Sequence, residues 1–198
     1  IVSPAVTAPA GRARGRIEFD EVRFAYRPGE EILHGISFRI EPGEKIAVVG
    51  ATGAGKTTLT RLLIRLHDPA AGSIRLDGVD LRALPLDHLR SQIGVVMQDH
   101  FLASGTVASN IAFADRAMPR DRVEEAARQV RADQFIRALP GGFDAPVRER
   151  GGNLSVGQKQ LISFARALAR DPAVLVLDEA TSSVDTETEA RIQEALGR

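Results

Sequence analysis

The stretch Ile46-Ala47-Val48-Val49-Gly50-Ala51-Thr52-Gly53-Ala54-Gly55-Lys56-Thr57-Thr58 decides how this chain is read. Its first four residues form an apolar run of strand length. Its middle matches the pattern G-x-x-x-x-G-K-[ST], and Leu59, Leu62, Leu63 and Leu66 follow at helical spacing. Strand, glycine-rich loop and helix, in that order, are the context in which this pattern cradles phosphate. Glycines let backbone amides turn inward around phosphate oxygens, Lys56 supplies a point charge at the outer phosphates, and the Thr57 hydroxyl can ligate magnesium. The helix behind the loop aims the positive end of its dipole at the anion. Gly50, Ala51, Thr52, Gly53, Ala54, Gly55, Lys56, Thr57 and Thr58 are therefore the first candidate contacts to ATP and its Mg2+.

Outward from the loop the patterning changes. Ile17 and Phe19, then Val22, Phe24 and Tyr26, then Ile36, Phe38 and Ile40 alternate with polar residues as half-buried antiparallel strands do. The parity change at Asp20-Glu21 predicts a turn or bulge. Asp77-Gly78, between Ile74, Leu76 and Val79, predicts a hairpin with a tight primed turn. Residues 93–97 and 173–177 are apolar runs expected to be central parallel strands buried on both faces. Between them, residues 121–139 carry a helical pattern broken near Asp133, and another helix is expected after Ser155, so helices interrupt an α/β core.

The chain of 198 residues, 43% of them hydrophobic, can bury a core of one-domain size. Its 26 basic and 26 acidic residues cancel, so no global field draws it to nucleic acid or to an anionic membrane, and partners must be recognised locally. It contains no apolar run of membrane-spanning length and no signal-peptide pattern at its start, from which cytosolic work is expected. The absence of cysteine excludes disulfides and thiolate metal sites. Residues 1–15, IVSPAVTAPAGRARG, mix Pro, Ala and Gly with the closely spaced Arg12, Arg14 and Arg16 and read as a linker with solvated arginines, tethering something upstream.

A second motif completes the first. Ala173-Val174-Leu175-Val176-Leu177 delivers Asp178 and Glu179 to a strand end and resembles a Walker B segment. Asp178 would hold magnesium through water and Glu179 would polarise the attacking water as general base; in isolation the pair would read as a solvated helix start. Leu154-Ser155-Val156-Gly157-Gln158 is similar to the LSGGQ signature of ATP-binding cassette (ABC) ATPases. Physically, Ser155 can N-cap a helix with Gln158 closing a capping box, and Leu161, Ala165 and Leu168 give that helix a buried face, an arrangement that needs no ligand. The resemblance implies more: Ser155, Gly157 and Gln158 would face the γ-phosphate of ATP held by an opposing subunit, so the site would be shared between two chains. Val156 stands where the family has Gly and requires an ordinary backbone region there.

By the same resemblance Gln98 is the Q-loop glutamine, which touches magnesium and senses a transmembrane partner; a strand-end amide is its plain alternative. Tyr26 is the aromatic that stacks on adenine, with core or edge packing as the alternative. Ser183-Val184-Asp185 resembles the D-loop, and Asp185 is equally compatible with an N-cap. Residues 98–113, QDHFLASGTVASNIAF, and Glu149-Arg150-Gly151 look like the exporter branch. The first surrounds the groove for a coupling helix, and the second is similar to the X-loop, with Arg148 where a Gly is common.

The resemblance covers residues 16–198 and implies an α/β fold: a P-loop NTPase (RecA-like) core with an antiparallel β subdomain and an inserted α-helical subdomain of about residues 99–160, preceded by the 1–15 interdomain linker. It implies an ATPase whose catalytic residue is Glu179 and whose metal is held by Thr57, Gln98 and Asp178. Its partners would be a second nucleotide-binding domain, identical or not, and a transmembrane domain reached through coupling helices at the cytoplasmic face of the cell (inner) membrane; no nucleic acid is expected. The family's switch histidine falls beyond Arg198, and His34, His67, His88 and His100 lie too far upstream to take its place, so the chain reads as a C-terminally truncated piece of a longer transporter. Two other readings remain open. A soluble ABC-type ATPase acting on DNA or chromosomes is opposed by residues 98–113, residues 149–151 and the neutral charge, and a non-enzymatic nucleotide sensor by Glu179.

Overall fold

In the computed structural model, which describes residues 1, 3–4, 11–97, 99–113, 115 and 117–178, strand β1 (Ile17–Ala25) pairs antiparallel with β2 (Glu31–Ile40) on one edge and with β3 (Ala71–Leu76) on the other. With β4 (Val79–Asp80) the sheet runs β2-β1-β3-β4. The alternation seen in sequence buries Ile17, Phe19, Val22 and Phe24. At Asp20-Glu21 both pairings slip register and Glu21 takes φ 47°, so the parity change is a β-bulge. Ser37 Oγ accepts the Glu21 N–H at 2.9 Å and donates to Glu21 Oε1 at 3.0 Å. The bulge turns the carbonyls of Asp20 and Glu21 onto Gly72, where any Cβ would overlap them.

Asp77 and Gly78 have φ 51° and 82°, the two positive values of a type I′ turn, and pair Leu76 with Val79. The Asp77 carboxylate also accepts the backbone N–H of Arg14 at 2.6 Å and of Arg16 at 2.9 Å, while Ala13 donates to Gln92 Oε1 at 2.7 Å. The end of the 1–15 segment is thus pinned by its backbone to the hairpin, while Arg12 and Arg14 remain exposed as expected.

Two expectations fail in this unit, which comprises Ile1–Ile93. Residues 46–49 form no strand; Ile46, Val48 and Val49 are 45%, 50% and 87% exposed. An apolar run becomes a strand only when a ladder satisfies its amides and carbonyls, and among the described residues none pairs with it. Helix α1 (Lys56–Leu63) forms, but it ends before Leu66, which is exposed, because Arg65 turns to φ 52° and is itself buried, with Nε on Asp68 at 2.8 Å. The helix buries Thr58, Thr60, Leu62 and Leu63. Helix α2 (Leu86–Ser91) follows.

The second unit comprises Gly94–Arg198. Strand β5 (Ile93–Val96) bonds to β8 (Val174–Leu177); β5 is largely buried, whereas β8 is half-buried rather than enclosed on both faces. Gly94 has no room for a Cβ, which would stand 2.7 Å from the Ala167 carbonyl. Helices α3 (Val107–Ala112), α4 (Arg120–Gln129), α5 (Ala132–Ala138) and α6 (Val156–Leu168) enclose a core that includes Leu102, Ile111, Ala127, Ile136 and Phe164. The expected break in residues 121–139 comes at Arg131, with φ 55°. Strands β6 (Gly105–Thr106) and β7 (Pro146–Val147) form a short ribbon. No helix among the described residues is long and apolar enough to cross a membrane.

Candidate functional site

The glycine-rich loop opens α1. Gly55 is its N-cap at φ 92°, and Gly53 has φ 85°. A Cβ on Gly55 would lie 2.8 Å from Leu33 Cδ2 and 3.2 Å from Ile32 Cγ2, so β2 presses directly on the loop and only glycine fits there. Gly53 instead faces open space. The Ala54 N–H closes a turn on the Ala51 carbonyl at 3.1 Å. Lys56 folds back across this turn, its Nζ donating to the carbonyls of Gly50 at 2.8 Å and Ala51 at 3.1 Å. No side chain caps α1, the condition in which a helix start serves an anion. An open flank, a cation at the mouth and an uncapped helix start fit a polyphosphate.

Tyr26, one residue past β1, reaches the same helix. Its Oη lies 3.3 Å from Thr58 Oγ1 and accepts from Arg61 Nη1 at 3.1 Å. The ring meets Phe24 and His67 edge-on, at 4.9 and 5.3 Å between centroids, and is 42% exposed. Sequence reading placed Tyr26 near the loop but missed Arg61 and His67. Arg61, three residues after Thr58 on one helix face, carried a usable signal.

In the second unit Asp178 follows β8, its N–H donating to the Val96 carbonyl at 3.0 Å. Gln98, Glu179 and Ser183-Val184-Asp185 lie outside the described residues. Ser155 caps α6 as expected: its Oγ accepts the Gln158 N–H at 3.2 Å, and Gln158 Oε1 accepts the Ser155 N–H at 3.0 Å. Val156 is the first helical residue, 53% exposed and free of positive φ, so a β-branched side chain sits there without strain. Arg148 is extended at φ −74°, ψ 168°, a region open to any residue. Arg150 and Gly151 instead turn left-handed, at φ 54° and 65°, and a Cβ on Gly151 would approach Lys159 and Leu102 within 2.9 and 3.1 Å.

Residues 99–113 present Phe101 and Phe113 to solvent, 57% and 52% exposed. Thr106 and Ser109 form the capping box of α3. Behind them lie two residues that sequence reading did not single out, the buried Asn110 and the half-buried Arg166 of α6, whose guanidinium burial lowers its pKa to about 10. The signal for Arg166 was its place between Ala165 and Ala167 in an otherwise buried helical stretch. His100 is held below the usual imidazole range, first by burial and then by Lys159, with Asp99 opposing.

Residues 33–182 match the family model described as ABC transporter. A probable multidrug resistance ABC transporter ATP-binding/permease protein of Bacillus subtilis is 50% identical over 185 residues, 93% of this chain and 28% of that protein. A fatty acid ABC transporter ATP-binding/permease protein of Mycobacterium bovis is 49% identical over 92% of this chain and 29% of its own length. An ATP-dependent lipid A-core flippase of Saccharophagus degradans is 45% identical over 92% and 31%. The chain therefore spans under a third of the length of these relatives. A solved structure of a bacterial Atm1-family ABC exporter with ATP bound matches with a TM-score of 0.92 at 39% identity, covering 100% of this chain and 34% of that one.

Proposed function

Because the chain belongs to the ABC transporter family, with a P-loop NTPase fold, we propose that it is the ATP-binding and ATP-hydrolysing motor domain of an exporter, pairing head to tail with a second such domain around Mg-ATP. The observation that carries the reading is the loop itself: Gly55 fixed under Leu33, Lys56 held at the mouth and α1 left uncapped. In use, Lys56 exchanges its two carbonyl partners for phosphate oxygens while the loop amides surround the phosphates. Tyr26, anchored at its hydroxyl and by two edge contacts, offers its exposed ring to the adenine.

Thr57, Gln98 and Asp178 would hold Mg2+, which when bound neutralises phosphate charge and helps align the transferred group. Glu179 holds the attacking water and takes its proton. Ser155, Gly157 and Gln158 of a second chain close the site from the opposite side, the dipole of α6 directed at the γ-phosphate. Residues 98–113 meet the coupling helices of a transmembrane domain at the cytoplasmic face of the membrane, and residues 1–15 lead from that domain.

Titration with a fluorescent ATP analogue tests the first step. Lys56→Ala should lower affinity at least about a hundredfold, the loss of a charge-assisted phosphate contact. In the assembled exporter Glu179→Gln should keep binding and lose turnover. Hydrolysis by that variant at the wild-type rate would remove Glu179 from the role of base.

A further inference from the structure

Arg166 lies about three turns into α6, roughly 16 Å along the axis from the capped end at Ser155. Its guanidinium is spread over two segments of the loop that leads into and through α3. Nε donates to the Asn110 carbonyl at 2.8 Å, Nη1 to the Phe101 carbonyl at 2.9 Å and Nη2 to Asn110 Oδ1 at 3.1 Å. Its Cζ stands 4.5 Å from the centroid of the Phe113 ring. Among the described residues this charge meets carbonyl oxygens and an aromatic face, and no carboxylate. Withdrawing a cation from water without an opposite charge is costly, and an apolar side chain of similar size would often serve stability as well. What an apolar side chain could not supply is the fork that reads three oxygens at once.

The groups it holds are organised for display. Asn110, 1% exposed, binds the backbone of Ala103 through both N–H and carbonyl, at 2.9 and 2.8 Å, and donates to the Thr106 carbonyl at 3.1 Å. At the two ends of the segment so knitted, Phe101 and Phe113 stand more than half exposed. Phe113 adopts φ 43°, ψ −99°, a conformation that an L side chain rarely takes and that surrounding contacts must impose. Arg166, on its ring and on the carbonyl of Asn110 three residues earlier, is the contact placed to do so.

We propose that Arg166 is a positioning residue that fixes the exposed Phe101 and Phe113 to helix α6, so that the helix end capped by Ser155 and this aromatic surface move as one body. The proposal rests on the reading above only for what meets the surface; the linkage lies within this unit and is tested separately. Because the chain contains no Trp, Phe113→Trp introduces a single indole reporter. With Arg166 present the indole face over the guanidinium should be partly shielded from acrylamide. Adding Arg166→Met should raise the quenching constant roughly threefold as the cation–π contact and the fork are lost, while the cooperative far-UV melt persists. Arg166→Lys, which returns the charge without the fork, should restore the shielding in part.

Equal quenching with and without Arg166→Met would overturn the proposal. Loss of the cooperative melt together with the shielding would also overturn it, since Arg166 would then hold the fold rather than the surface. In an exporter assembled with its membrane domain, Phe113→Asp tests the underlying reading on its own: unchanged coupling of hydrolysis to transport would remove the membrane partner from this surface and leave the indole result standing.

Discussion

The glycine-rich loop at Gly50–Thr58 and the helix start at Ser155–Gln158 are both aimed, by the proposed function, at the same phosphates, yet they are built in opposite ways. The loop has no side chain of its own to cap its helix and depends on glycine at a place where β2 leaves no room for a Cβ. The helix start satisfies itself, with Ser155 and Gln158 exchanging hydrogen bonds, and it tolerates Val156 at its first position. A self-capped end is preset before any ligand arrives, whereas an uncapped one has amides that a ligand can complete. This contrast suits a loop that takes nucleotide first and a helix end that docks afterwards as a finished surface.

Among changes that leave every charge in place, the largest effect should come from removing the geometric basis of the loop. Gly55→Ala places a methyl group 2.8 Å from Leu33 at a residue with φ 92°, which should cost about 2–3 kcal/mol of stability and weaken nucleotide binding at least tenfold. Gly53→Ala meets nothing within 4 Å and should cost about 1 kcal/mol, from φ alone. Urea midpoints and nucleotide titrations on both variants compare the two glycines. Equal losses would mean that β2 does not brace the loop.

Ser155→Ala should come next, at about 1 kcal/mol from the lost cap. If, as proposed, the helix start serves the nucleotide of another chain, this variant should bind nucleotide within about twofold of wild type when alone, less than the tenfold step of a single direct contact. Its defect should appear in turnover once two domains pair. A fall in single-chain binding as large as that of Gly55→Ala would erase the distinction between the two regions.

The same contrast explains what could be read in advance. The glycines, the type I′ turn at Asp77-Gly78 and the Ser155–Gln158 box were legible because each encodes its geometry within a few consecutive residues. The bulge at Asp20-Glu21 announced itself as a parity change. Residues 46–49 misled because a strand is a property of a pair, and apolar character says nothing about whether the partner is at hand. Arg166 escaped notice for a related reason: its place between two alanines of a buried helical stretch hints at burial, but its meaning lies in Phe101, Asn110 and Phe113, more than fifty positions away.

The smallest expected effect concerns pH and belongs to the unit that carries the helix start. His100 precedes the segment held by Arg166, and its Nδ1 is buried with no hydrogen-bond partner among the described residues. Burial favours the neutral imidazole in the folded chain; the charge of Lys159 on α6 adds to this and Asp99 opposes it. The unfolded chain takes up a proton near the ordinary value of 6.5 and the folded chain only at lower pH, so between the two the unfolded state binds more protons. The stability supplied by the neutral ring is therefore whole above pH 6.5 and declines as the pH falls below it. His100→Gln removes that titration, and its stability should fall less than that of wild type between pH 7 and pH 5. Hydrogen exchange should locate the difference in amides of α6 and residues 99–113, with the loop at Gly50–Thr58 unaffected; parallel decline of the two proteins, or a response centred on the loop, would assign the pH dependence elsewhere.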